Sequence, residues 1–218
     1  MQKSFGLAGP PTFNTAVPSG DEGSYKTVSY IKDLIFDGTA DPVVREEALL
    51  AVKGTAERDT TSQISSIHDW IRAKYKYVAD PFHVETLHTA RALILQTKRD
   101  RGFGMDCDDF VILESSMLRS IGIPTAIIIA ACDKRRPNGW SHIYLTAYDA
   151  RRGMWIPLDP TKKTRAAGWE PPNIYRKKVI KIGGMYDDGI PHMKDTRYSY
   201  TDRKHSRAGS PRGLSWFN

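Results

Sequence analysis

From Phe110 onward apolar residues recur at helical spacing: Phe110, Leu113, Met117 and Ile121, with Val111 and Leu118 widening the stripe. That period predicts a helix starting near Cys107, with Asp106 as N-cap and Gly122 followed by Pro124 as its stop. Three earlier segments carry the same period. "DPVVREEALLAVKG" (41–54) has Asp41 as cap, Pro42 at the first helical position and Gly54 at the end. "TTSQISSIHDWIRAKYKYV" sets Ile64, Ile67, Trp70 or Ile71, and Tyr75 on one face, and "ETLHTARALILQT" reads as a third helix. After Gly122 the pattern becomes a continuous apolar run or strict alternation, so "IPTAIIIAAC", "WSHIYLTAYD" and "MWIPLD" are predicted strands, and "KKVIKI" a short one for the sheet edge. Helices first and a meander afterwards make the fold class α+β, with an antiparallel sheet.

The pattern fades at both ends. Residues 1–24 are rich in proline and glycine and aperiodic, which predicts an extended N-terminal arm. A domain is expected over 25–182, and a basic C-terminal tail over 183–218. At 218 residues and 40% hydrophobic content, one core is affordable. Two cysteines exclude a disulfide framework. No stretch has the apolar length of a signal peptide core or a membrane span, so the expected location is cytoplasmic. The net charge of +7 is lopsided. From Pro160 on there are 13 Lys and Arg against 5 Asp and Glu, whereas residues 1–159 carry 19 against 20. The basic part interleaves Lys and Arg with Tyr175, Tyr186, Tyr198 and Tyr200 and ends in "LSWF". This suits docking to an acidic protein groove with Trp216 and Phe217 as anchors, with nucleic acid as the rival partner.

The last two predicted strands can be put in register. Ile143, Leu145 and Ala147 share one face of the first, and Met154, Ile156 and Leu158 one face of the second. If both sets face the core of a hairpin turning at "ARRG", opposed residues sum to an odd number. His142 and Asp159 then lie together on the other face, with Trp140, Tyr144 and Trp155. At a sum of 303, Asp159 opposes Tyr144 and is the diagonal neighbour of His142, close enough to accept the imidazole N–H. A thiol at the start of a helix sits where backbone dipoles favour its anion. Cys107, His142 and Asp159 therefore form a candidate catalytic triad of nucleophile, base and orienting acid.

The motifs "GMDCDDFVILESSMLRSIGIPTAIII", "WSHIYLTAYD" and "GMWIPLDPT" resemble the three core motifs of the transglutaminase-like superfamily, within the papain-like cysteine protease fold. "IHDWIRAKYKYVADP" is similar to the helix that precedes that core, so the resemblance spans roughly residues 60 to 161. It implies the same roles for Cys107, His142 and Asp159, an amide bond in a protein or peptide as substrate, and hydrolysis or transamidation as the reaction. The wording looks most like short versions encoded by tailed phages and prophages. That implies a host-cytoplasmic or virion location and, as the alternative function, a virion assembly component whose arms are ordered by protein partners.

Other readings of the same residues are weaker. Asp106, Asp108 and Asp109 could hold Ca²⁺ or Mg²⁺, but the run lacks the glycine and later glutamate of a calcium loop, so no metal and no cofactor is expected. Cys132, at the end of an apolar strand, reads as structural. His68, His83, His88, His192 and His205 show no ligand spacing.

Overall fold

The computed structural model describes residues 12–14, 20–79, 86–183 and 196–197. Helix α5, Cys107–Ser120, occupies the centre, and residues 108–120 are buried without exception. The apolar stripe alone would bury one face; packing on all sides buries the polar positions too, and each finds a partner. Glu114 meets His68, Ser115 shares a 2.6 Å hydrogen bond with Thr125, and Arg119 donates to the carbonyl of Gly183 at 2.6 Å. Such pairing is what makes a buried polar group tolerable.

Four helices surround it. Helix α1, Asp21–Ala40, was not marked by any clear period, and it begins four residues inside the stretch expected to be an arm. Its β-branched and glycine residues are poor helix formers, so its order derives from tertiary packing, with Ile31 and Ile35 fully buried. Gly38 permits the close approach to α5: a Cβ there would lie 2.3 Å from the Ser116 hydroxyl oxygen. Helix α2, Pro42–Ala51, starts as expected, with the Asp41 carboxylate accepting from the N–H groups of Val43 and Val44. Helix α3, Thr60–Lys74, buries Ile64, Ile67 and Ile71 and ends against buried Tyr75. Helix α4, Ala90–Arg99, starts later than its sequence pattern suggested. Thr89 caps it, and Thr86–His88 before the cap form strand β3, paired antiparallel with β1, Thr12–Asn14.

Strand β2, Lys76–Tyr77, runs parallel to β4, Gly104–Met105. The main sheet has the order β7-β6-β5-β8-β9 and is antiparallel throughout. Its strands are β5 (Thr125–Ala131), β6 (His142–Asp149), β7 (Met154–Leu158), β8 (Arg176–Lys181) and β9 (Thr196–Arg197). The meander β5 to β7 follows the sequence reading; the "KKVIKI" strand, expected at the sheet edge, pairs as β8 with β5 and is itself flanked by β9. Strand β5, apolar after Thr125, is buried on both faces. Ile127, Ile129, Ile143, Leu145, Ile156 and Leu158 face the helices. Ile128, Ala130 and Tyr144 face away and are covered by Ile174.

Within the stretches expected to be arms, residues 12–14 and 196–197 each form a short strand, β1 and β9, paired with β3 and β8. The remaining tail, including Tyr186, Tyr198, Tyr200, Trp216 and Phe217, lies outside the described residues. Among the described residues no helix is long and apolar enough to cross a membrane.

Candidate active site

The start of α5 divides its three acids among different tasks. Asp106 is the N-cap, in extended conformation, and accepts from the N–H of Asp109 at 3.0 Å. Asp109 turns to β3, where it accepts from the backbone N–H of His88 at 3.1 Å and faces its Nδ1 at 3.0 Å. Asp108 stays beside the thiol, with the Cys107 Sγ 3.6 Å from its Oδ1. The β2–β4 pair runs straight into this turn, with Tyr77 opposite Met105 and the Val78 N–H donating to the Met105 carbonyl at 2.9 Å. Met105 itself is buried in the core.

The hairpin supplies the second part. Leu145 pairs with Leu158, Thr146 with Pro157 and Ala147 with Ile156, the expected register, and the four-residue turn 150–153 ends on Gly153 at φ 66°. Asp159 and His142 are therefore diagonal neighbours across the strands. The His142 Nε2 lies 2.7 Å from the Asp159 Oδ2. The other carboxylate oxygen accepts from the Thr161 hydroxyl at 2.6 Å and from its N–H at 3.2 Å. Burial alone would raise the Asp159 carboxyl, but these bonds, led by that from His142, hold it below its ordinary value. A carboxylate at Nε2 fixes the proton there and leaves Nδ1 as the basic nitrogen. The ring stacks on Tyr144 at 5.8 Å, and the Tyr144 hydroxyl is anchored by Glu170.

Cys107 lies against the backbone of β6, where the N–H of Ile143, next to His142, favours the charged form of the sulfur. The thiol is nevertheless not poised as an anion. Burial, then the carboxylates of Asp108 and Asp106, push its pKa well above the ordinary value, and they outweigh the Ile143 N–H. The helix dipole is thus overridden by burial and by two charges that the same turn brings closer. Asp106, Cys107 and Asp108 also hold their ligand atoms within 4.8 Å of one another, a grouping that acids at a helix start produce through capping alone.

One neighbour carried no sequence signal. Tyr77 stacks on Phe110, one turn after Cys107, at 6.4 Å between ring centroids. Its phenol is raised by burial and then by Cys107, Asp106, Asp159 and Asp108, so it borders both halves of the site. Only the parallel β2–β4 pairing puts it there. Beyond His142 opens a cavity of about 560 Å³, also lined by Tyr77, Asp159, Lys162, Arg165 and Trp169. Cys132 lines it too, half-buried, with its N–H donating to the Ser141 hydroxyl at 2.9 Å. His68 pairs with Glu114, while His83, His192 and His205 lie outside the described residues.

A helix-borne thiol packed against an antiparallel sheet that carries an imidazole–carboxylate pair is the layout of the papain-like class. The profile of the transglutaminase-like superfamily matches residues 50–160, about half of the 218, and the chain belongs to that superfamily. Solved structures of similar shape include calcium-bound LapG of Legionella pneumophila, at 15% identity over 84% of this chain and 99% of that one, with a TM-score of 0.44. Another LapG structure is 17% identical over 71% of this chain and 87% of that one, with a TM-score of 0.43. A Cytophaga hutchinsonii protein provisionally described as a cysteine protease is 19% identical, with a TM-score of 0.40. The match covers 72% of this chain and 49% of that protein, so this chain spans about half its length. No curated protein matches the sequence.

Proposed function

We propose that the protein is a cysteine-dependent enzyme acting on an amide bond of a protein or peptide, with Cys107 as nucleophile, His142 as base and Asp159 as the acid that orients it. The observation that carries this reading is the 2.7 Å contact between the His142 Nε2 and the buried Asp159 carboxylate. It commits one ring nitrogen and presents the other as a proton acceptor.

With the thiol protonated at rest, attack and proton transfer go together. His142 Nδ1 takes the thiol proton as Sγ adds to the carbonyl carbon. The imidazolium, supported by Asp159, then gives that proton to the departing amine nitrogen, and the C–N bond breaks to leave a thioester on Cys107. Water or a second amine resolves the thioester, which gives hydrolysis or transamidation. The oxyanion is held in part by the backbone N–H of Cys107 at the helix start, since the first N–H groups of a helix have no intrahelical partner.

The test is turnover by purified full-length protein of a casein substrate, read both as new peptide termini and as incorporation of a fluorescent amine. Cys107→Ala should fold as the parent does and abolish both signals. Undiminished turnover by that variant would remove Cys107 from the mechanism.

A further inference from the structure

We propose that the cavity beside His142 is a subsite for an acidic side chain, Asp or Glu, of the peptide substrate, held by Lys162 and Arg165 over Trp169. The proposal rests on the enzymatic reading above and adds the substrate's chemistry to it.

The cavity's volume, about 560 Å³, falls in the range of clefts that take a small ligand or a peptide side chain with its backbone. It is lined by His142 and Asp159, so it adjoins the base of the proposed reaction. Its charge is one-sided. Asp159 is the carboxylate in its wall, and its side chain is 1% exposed, with one oxygen facing His142 and the other Thr161. Lys162 and Arg165 are both exposed, and among the described residues neither forms an ion pair.

The backbone that carries these two cations is held in place. They end a single turn closed by the Arg165 N–H donating to the Lys162 carbonyl at 2.9 Å. The turn is pinned from α3 at two points. Arg72 donates to the Lys163 carbonyl at 2.6 Å, and the His68 Nε2 to the Arg165 carbonyl at 3.3 Å. His68 is held in turn by Glu114 of α5, so the turn is tied to the helix that bears the nucleophile. The Arg165 guanidinium lies 5.6 Å over the Trp169 ring, which limits its freedom before any ligand arrives. A carboxylate is the complement of such a fork. The thiol end of the site carries the opposite sign, with Asp106 and Asp108 beside Cys107. An acidic residue is thus repelled from one end and drawn to the other, which sets the direction of the bound peptide.

The experiment has two arms. In the first, full-length protein treats a complex peptide mixture, and reacted peptides are identified by mass spectrometry. Asp and Glu should be enriched about fivefold or more at one fixed position near the reacted bond, the scale of one or two ion pairs at a water-exposed site. K162E/R165E should remove or invert the preference, while K26E/K53E, with the same charge change on exposed lysines elsewhere, should keep it. Turnover with no positional preference, or a preference that K162E/R165E leaves intact, overturns the proposal. In the second arm, ¹⁵N-labelled Cys107→Ala protein is titrated with acetyl-Gly-Glu-Gly-amide, its Gln counterpart, inorganic phosphate and an oligothymidylate, reading the Trp169 indole resonance. Tighter binding of the Glu peptide supports the subsite. Equal response to Glu and Gln peptides, or stronger binding of phosphate or the oligonucleotide, overturns it. Absence of turnover by wild-type protein together with a Glu preference at Trp169 refutes the enzymatic reading and upholds acid recognition, so the two failures are distinguishable.

Discussion

The His142 Nε2 meets the Asp159 Oδ2 at 2.7 Å across two strands whose register places them diagonally, and the Asp159 side chain is 1% exposed. A buried carboxylate aimed at one ring nitrogen sets the tautomer of the other. Asp159→Asn should therefore keep the hairpin, through the Thr161 bonds and the ladder, while kcat/KM falls by roughly 10²- to 10⁴-fold, as when a triad acid is neutralised. Circular dichroism and steady-state rates on the same preparation check it. A loss under threefold would show that Asp159 only builds the turn.

The raised thiol pKa of Cys107 has a direct kinetic signature. Iodoacetamide should modify Cys107 slowly at neutral pH, with a rate still climbing above about pH 8.5, because the thiolate is the reacting form. Asp108 and Asp106 disfavour that anion. Asp108→Asn should shift the profile to lower pH and speed alkylation at pH 7. A wild-type profile already flat at pH 7 would contradict the electrostatics of this turn.

The buried pair of His68 and Glu114, both fully buried and 2.9 Å apart, should make stability depend on pH. Burial opposes charge on His68, but the Glu114 carboxylate, by its charge and the bond to Nδ1, outweighs it and raises the imidazole pKa. Both ring nitrogens face acceptors, Glu114 and the Arg165 carbonyl, which fits the doubly protonated form. A folded pKa above the unfolded one means the contribution is complete below about pH 6.5 and is lost as pH rises through the folded value. Urea midpoints for the wild type should fall across that interval, and His68→Gln should show a flatter profile. Equal slopes would exclude His68 as the source.

Gly104 permits the β2–β4 contact that leads into Cys107. A Cβ at 104 would lie 2.2 Å from the Val78 Cγ2 and 2.5 Å from its Cβ. Gly104→Ala should cost about 1–3 kcal/mol, typical of overpacking, and displace Tyr77. Val78→Ala should not relieve it, because the Cβ itself is in the way, whereas Val78→Gly should. Thermal melts of the three variants would show whether the clash decides.

The chain's local patterns determined a good part of this outcome. The period around Phe110, Leu113 and Met117 located α5, Asp106 and Asp41 were legible as caps, and the alternation in 143–147 and 154–158 was enough to bring His142 to Asp159. These features are local or depend only on strand parity, so few arrangements satisfy them. Tertiary structure decided what local pattern cannot carry. Helix α1 has weak intrinsic propensity and exists because Ile31 and Ile35 pack beside α5. Thr86–His88 extend instead of joining α4, because β1 offers them a partner. Tyr77 comes to the site through a two-residue parallel pair with Gly104 and Met105, too short to leave a period. The sign of the Cys107 shift was also decided in space: burial of the sulfur comes first and then two carboxylates that act on it over a short distance, whereas the helix dipole is weak and diffuse.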